Sequence, residues 1–360
     1  MAGVYTQNVV CAASIDWNRK LTPSKDFRAV VVNSGNANAC TGQQGIDDNL
    51  KMATMVADVL GAKPESVAVL STGVIGHHLP MDKVTTGIVE ISAIVGANES
   101  NFTDAADAIT TTDQARKVAQ RTALVGGNEV SIVAMAKGAG MIGPNMATML
   151  AVVCTDANVS QTQAASILKF AADRSFNRIS VEGHTSTNDA LLLICSGAVG
   201  DPIADGQELD SLQQAVTEAC LETAKLIPAD GEGATHLIEI NVSGAASDED
   251  AETVARTVAA SNLVKTAITG SDPNWGRIVS AAGYAGVEMQ QQSIALQING
   301  HCVFEGGEPV EFDAAEVSRS IAGSFETNIS LHVGDGDGAA VHWTSDLTVD
   351  YVRFNSEYTT

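Results

Sequence analysis

Lys137, Thr148 and the glycines between them are the residues of this 360-residue chain best suited to covalent chemistry. The stretch from Lys137 to Asp156 reads KGAGMIGPNMATMLAVVCTD. Lys137, Gly138 and Gly140 form a basic, glycine-rich turn, Pro144-Asn145 breaks the chain direction, and Thr148 opens an apolar run to Cys154. A hydroxyl that begins a buried strand directly after a strained loop is held in a fixed place. Threonine is a weak nucleophile unless a base takes its proton, and one solution is to free its own α-amine by cutting the preceding peptide bond. Small Ala147 before Thr148 suits a strained turn at that bond. The pattern therefore points to Thr148 as nucleophile and to Ala147-Thr148 as the bond cut, although threonine is also an ordinary strand residue. Thr72-Gly73 closes another apolar run, and a hydroxyl with a backbone N–H at one strand end can form an oxyanion hole.

Rival chemistries fail on spacing. A P-loop needs its lysine after the last glycine, followed by Ser or Thr, whereas Lys137 precedes the glycines. The histidines show no HExxH spacing, which argues against zinc, and no G-x-S-x-G elbow occurs. Asp335-Gly336-Asp337-Gly338 starts like a calcium loop but lacks its later ligands, so a tight turn joining strands 329–333 and 339–343 is expected.

Apolar runs and turn signals predict the elements that must hold these residues. Strands are expected over 28–33, 66–71, 149–154, 178–181, 190–195 and 236–242. Helices are expected over 47–60, 81–95, 104–109, 160–174, 208–226, 252–261 and 314–321. A hairpin of 118–125 and 130–136 around Gly126-Gly127-Asn128 delivers Lys137. The polar stretch 243–252 reads as the boundary of a smaller C-terminal domain over 250–345, with 148–245 completing the core begun by 1–147. The mixture predicts an α/β (α+β) fold with mixed sheets layered with helices.

Composition narrows the partners. With 43 acidic and 20 basic residues the formal charge is −23, which disfavours nucleic acid and anionic membrane surfaces. An anionic ligand then needs a local cation, so each lysine or arginine beside a glycine or hydroxyl residue is a candidate, Lys137 among them, although a glycine-rich turn with a solvated lysine is the simpler reading of that stretch alone. Six scattered cysteines without a CxxC pair read as reduced thiols of a cytoplasmic protein. No apolar run reaches the roughly 18 residues that would cross a bilayer, and no signal peptide is evident.

Several segments together carry a resemblance. They are VVNSGNANACTG from Val31, STGVIG from Ser71, TTD from Thr111, KGAGMIGPNMATML from Lys137, FNRISVEGHTSTND from Phe176, DGEGAT from Asp230, VKTAITGSDPNWGR from Val264 and the terminal NSEYTT from Asn355. In them the chain closely resembles the glutamate N-acetyltransferase, or ornithine acetyltransferase, family of arginine biosynthesis. The resemblance implies a precursor that cuts itself into an α chain (1–147) and a β chain (148–360). Thr148 then takes the acetyl group of N-acetylornithine and passes it to glutamate. It implies that Thr72 and Gly73 stabilise the oxyanion, and that Thr111, Lys137, Thr148, Glu232, Asn355 and Thr360 hold the substrate, with the tail 346–360 returning to the active site. No cofactor is implied, and acetyl-CoA serves as a second donor in bifunctional members. An assembly of two α and two β chains is implied as well. The chemistry agrees: Lys137 suits an α-carboxylate and Glu232 a δ-ammonium. A self-cleaving amidase or aminopeptidase, with water as acceptor, is the alternative enzyme reading, and a non-catalytic binding protein is a third. Family members carry a further strand pair before the residues matching Ala2-Gly3-Val4, and methionine where Thr110 stands.

Overall fold

The hairpin expected around Gly126 and Gly127 forms one side of a five-stranded mixed sheet. In the computed structural model, which describes residues 1–143 and 149–358, strand Lys117–Val125 pairs antiparallel with Asn128–Lys137, Val125 opposite Asn128. Gly126 and Gly127 take φ of 58° and 76°, the left-handed pair that a two-residue type I′ turn requires. The sheet order is Ala2–Tyr5, Ala190–Val199, Leu150–Ala157, Asn128–Lys137, Lys117–Val125. Leu150–Ala157 and Ala190–Val199 run parallel, and Lys137 lies opposite Leu150.

Strands Ala29–Asn36 and Val67–Val74 form a separate parallel ladder. The run VAVL from Val67 is apolar throughout because both faces are covered. Val67 and Val69 pack with Met52, Ala57, Leu79 and Ile88, while Ala68 and Leu70 pack with Ile15, Leu150 and Leu192. A strand buried on both faces loses the alternation that marks a half-exposed one. These elements belong to a first compact unit, Met1–Asn177 with His184–Ile227.

A second unit, Arg178–Gly183 with Pro228–Tyr358, holds a seven-stranded mixed sheet. At its centre Leu237–Ala245 pairs parallel with Glu326–His332 and antiparallel with Gly338–Ser345. Ile238, Ile240 and Val242 point to one face, where they pack with Val254 and Val258 of helix Asp248–Ala259, Ile268 of Asn262–Thr269, Ile278 of Trp275–Gly283 and Val317 of Ala314–Ala322.

The mixed α/β architecture matches the expectation from sequence, but three local readings are corrected. The boundary near 245–250 falls instead between Ile227 and Pro228, because strand Leu237–Ala245 is hydrogen-bonded on both sides within the second unit. The polar stretch read as a linker is a helix start. The Ser247 hydroxyl accepts from the Asp250 N–H, and Asp248, Glu249 and Asp250 fill the first turn, where the helix dipole favours negative charge. Asp335 to Gly338 does not close a hairpin. It crosses the end of Leu237–Ala245, with Val333 and Gly336 donating to Ser243 and Gly244 carbonyls. Helices Ala13–Leu21, Trp275–Gly283 and Val349–Glu357 were not expected at all. The first rests on a tertiary tie: Asn18 donates to the Val69 carbonyl and accepts the Val69 N–H.

Candidate active site

The parallel ladder ends on Thr72-Gly73, opposite Ser34 and Gly35. Gly73 has φ 127°, and a Cβ there would stand 2.2 Å from the Gly35 carbonyl carbon. Only glycine lets the two strand ends approach so closely. The Asn188 amide pins the same end by donating to the Ser71 and Ala37 carbonyls at 2.8 and 2.6 Å.

Lys137, at the end of the hairpin's second strand, is only 3% exposed. Its Nζ donates to Thr111 Oγ1 at 2.8 Å and to Thr72 Oγ1 at 3.2 Å. Because both hydroxyl oxygens accept from the ammonium, each keeps its own hydrogen to donate elsewhere. That arrangement leaves the Thr72 O–H ready for a developing negative charge.

Asp113 braces this cluster. Its Oδ1 accepts from Lys117 Nζ at 2.7 Å and from the Gly138 N–H at 2.6 Å, and its Oδ2 accepts the Thr111 N–H at 3.1 Å. The two side chains of the pair are 1% and 0% exposed. Burial alone would raise the Asp113 carboxyl, but Lys137, Lys117 and the Gly138 N–H together outweigh it and hold the group below the usual aspartate range. Asp189 shows the opposite balance. It is fully buried, and burial pushes its carboxyl well above the usual range despite the N–H that Met149 donates to Oδ1 at 3.1 Å.

Removing the charge at Asp113 leaves the buried Lys117 ammonium without the carboxylate of this pair. Breaking such a buried pair costs about 3–5 kcal/mol, so Asp113→Asn is expected to lower the unfolding free energy by about 3 kcal/mol in a denaturant titration. The pH dependence follows from the depressed pKa. Asp113 stabilises the fold fully above the ordinary aspartate value of about 3.9, and that contribution is lost as pH falls through its lower folded-state value. The stability gap between wild type and Asp113→Asn should therefore close in acid below about pH 4.

In the second unit, Glu232 lies in the loop before strand Leu237–Ala245, and its Oε2 accepts from Asn355 Nδ2 of helix Val349–Glu357 at 2.9 Å. The surroundings are acidic: burial, then the charges of Glu182 and Glu232, push the Tyr351 phenol up to about 12. A cation is the guest such a place favours.

The structure thus gathers Thr72, Gly73, Thr111 and Lys137 in the first unit, and Glu232 with Asn355 in the second. Ala147, Thr148 and Thr360 lie outside the described residues. Asp113, Lys117 and Asp189 were not singled out from sequence. The available signal was a pair of opposite charges four residues apart directly before an alternating strand, and such pairs are usually solvated.

A lysine buried against two hydroxyls, beside a strand end that only glycine can close, is an arrangement suited to acyl transfer in a mixed α/β enzyme. Comparison with known proteins narrows this. The ArgJ family model matches residues 1–360, and the chain belongs to the ArgJ family. A Rhodopirellula baltica protein named arginine biosynthesis bifunctional protein ArgJ is 52% identical over 363 residues, covering 100% of this chain and 88% of its own length. The chloroplastic protein of that name from Citrullus lanatus is 43% identical over 369 residues, covering 100% of this chain and 80% of its own. Among solved structures, the Bacillus halodurans protein of the same name matches with a TM-score of 0.55 and 40% identity, over 56% of this chain and 96% of that one.

Proposed function

We propose that this chain is an acyltransferase of arginine biosynthesis that moves the acetyl group of N-acetylornithine to glutamate through an acetyl-Thr148 intermediate. The observation that carries the reading is the buried Lys137, held by Thr111 and Thr72 hydroxyls beside Gly73. In the first half-reaction the Thr148 hydroxyl attacks the acetyl carbonyl, and its proton passes to the Thr148 α-amine. The tetrahedral oxygen is stabilised by the Thr72 O–H and the Gly73 N–H. The C–N bond then breaks, the amine returns the proton to the departing nitrogen, and ornithine leaves. Glutamate's α-amine attacks the acetyl ester in the second half-reaction, regenerating the free hydroxyl and giving N-acetylglutamate. Lys137 pairs with the α-carboxylate that both substrates carry, and Thr111 supports it. Glu232 takes the δ-ammonium of the donor, with Asn355 orienting that carboxylate. Thr360 is assigned to the same substrate-holding set. The chemistry needs no cofactor. Acetyl-CoA is assigned as a second donor, in keeping with the word bifunctional in the relatives' name.

Self-cleavage at Ala147-Thr148 supplies the free α-amine. A length relation supports it. The Bacillus halodurans chain is covered over 96% of its length by 56% of this one, so it is little more than half as long. A fragment running from Thr148 to the C-terminus has that size. We further assign an assembly of two α and two β chains in the cytoplasm. Six free cysteines fit a reducing compartment, and among the described residues no helix is long and apolar enough to cross a membrane.

The test is a denaturing gel with N-terminal sequencing, followed by a transfer assay with acetyl-labelled N-acetylornithine. Two fragments are expected, the second beginning at Thr148, with label moving to glutamate. Release of the label as free acetate in the presence of glutamate would identify a hydrolase instead. One intact and active chain would rule out the mechanism.

A further inference from the structure

We infer that Asp346 and Thr348 are positioning residues for the donor half-reaction, latching the loop that carries Glu232 to the helix that carries Asn355. The inference rests on the proposed role of Glu232 and adds the machinery that holds it.

The Asp346 side chain is completely buried. Its Oδ1 accepts the N–H groups of Thr235 and His236 at 2.8 and 3.1 Å. Its Oδ2 accepts the Thr235 hydroxyl at 2.6 Å and the Thr269 hydroxyl at 3.0 Å, and lies 3.3 Å from His236 Nδ1. One carboxylate therefore fixes the outgoing end of the Glu232 loop. The middle of the loop is fixed two residues further on. The Thr348 hydroxyl donates to the Gly233 carbonyl at 2.7 Å and accepts the Tyr351 N–H at 3.1 Å. The second contact caps helix Val349–Glu357, so a single hydroxyl joins the loop to the helix start. Gly233 makes the approach feasible: its φ is 71°, and a Cβ there would stand 2.5 Å from the Tyr351 nitrogen. Asn355, on the next turn, completes the clasp through Glu232 Oε2.

This latch acts on one substrate. A δ-ammonium is present in N-acetylornithine and absent from glutamate, which ends in a carboxylate. In a ping-pong reaction kcat/KM for each substrate reports its own half-reaction. A loosened Glu232 should therefore lower kcat/KM for the donor and leave that for the acceptor in place. A merely structural defect would lower both through the fraction of active enzyme.

The experiment compares Thr348→Val, Thr348→Ser and Glu232→Gln in the self-cleaved enzyme, with kcat/KM measured for each substrate. Thr348→Val removes the hydroxyl at nearly constant volume and is expected to lower kcat/KM for N-acetylornithine about tenfold, with the glutamate value within about twofold of wild type. Thr348→Ser should restore the donor value. Glu232→Gln should lower the donor value by at least about tenfold. A Thr348→Val enzyme whose two values fall together, or not at all, overturns the latch, as does failure of serine to restore the donor value. An unchanged donor value in Glu232→Gln overturns the role of Glu232 and the latch with it. A donor-selective loss in Glu232→Gln beside an unaffected Thr348→Val overturns the latch alone.

Discussion

Thr148→Ala is expected to stay as one chain on a denaturing gel and to lose acetyl transfer by at least about 10⁴-fold, the scale on which removal of a covalent nucleophile is felt. Both losses have one cause. In the proposed mechanism the hydroxyl that attacks the acetyl group also attacks the carbonyl of Ala147, so a methyl in its place stops scission and turnover together. The α-amine then stays in a peptide bond and has no basic lone pair to offer. Thr148→Ser separates the roles: it keeps a hydroxyl and an α-amine, and it should yield both fragments and retain measurable turnover. A correctly folded Thr148→Ala protein that still acetylates glutamate would move the nucleophile elsewhere. The acetyl-enzyme offers an independent check. Mixing wild type with N-acetylornithine without glutamate should add one acetyl mass to the fragment that begins at Thr148, and none to the alanine variant.

Lys137→Met is the second large effect. It should lower kcat/KM for both substrates by roughly 100-fold, because truncating one partner of a desolvated charge pair costs about 2–5 kcal/mol and both substrates present an α-carboxylate. The whole chain carries a formal charge of −23, so the general field repels the α-carboxylate of either substrate and the local cation must overcome it. The ammonium also sets the two hydroxyls it touches, leaving their hydrogens to point outward. Methionine fills similar space but frees Thr72 to rotate, so part of the loss should appear in kcat. Arginine is not expected to rescue, since a planar guanidinium does not replace a compact ammonium on a buried stem. The two-substrate readout separates this variant from Thr348→Val, which should affect the donor alone. Values for both substrates within about threefold of wild type would remove Lys137 from the substrate-binding set.

Much of the architecture was legible because local signals agreed with the tertiary outcome. The Gly126-Gly127-Asn128 signal announced a hairpin, which closes on a two-residue type I′ turn, and its second strand ends on Lys137 as expected. Longer helices such as Gln161–Arg174 showed their apolar spacing, and Ser160 caps this one. Segments with mixed character misled. Ser247 to Asp250 looks like a linker because a helix N-terminus and a linker favour the same residues, and only the two-sided pairing of Leu237–Ala245 tells them apart. Helix Ala13–Leu21 buries few apolar residues and depends on Asn18, so its periodicity is faint.

The candidate site divides in the same way. Residue type and spacing pointed to Thr148 as a self-activated nucleophile, and the family resemblance added Lys137 as the cation for an α-carboxylate and Glu232 as its complement. These are properties of functional groups, and they do not depend on the fold. Which groups meet was decided by tertiary structure. Thr72, Thr111 and Lys137 are separated by long stretches of chain and come together because a parallel ladder, a turn and a hairpin end at one place. Asp113 becomes a buried brace, with its pKa held down, only when Lys117, Lys137 and Gly138 surround it. Asp346 and Thr348 read as unremarkable polar residues until strand Gly338–Ser345 carries them to the Glu232 loop. Long-range contact creates desolvation and hydrogen-bond geometry, and neither is a property of a residue on its own.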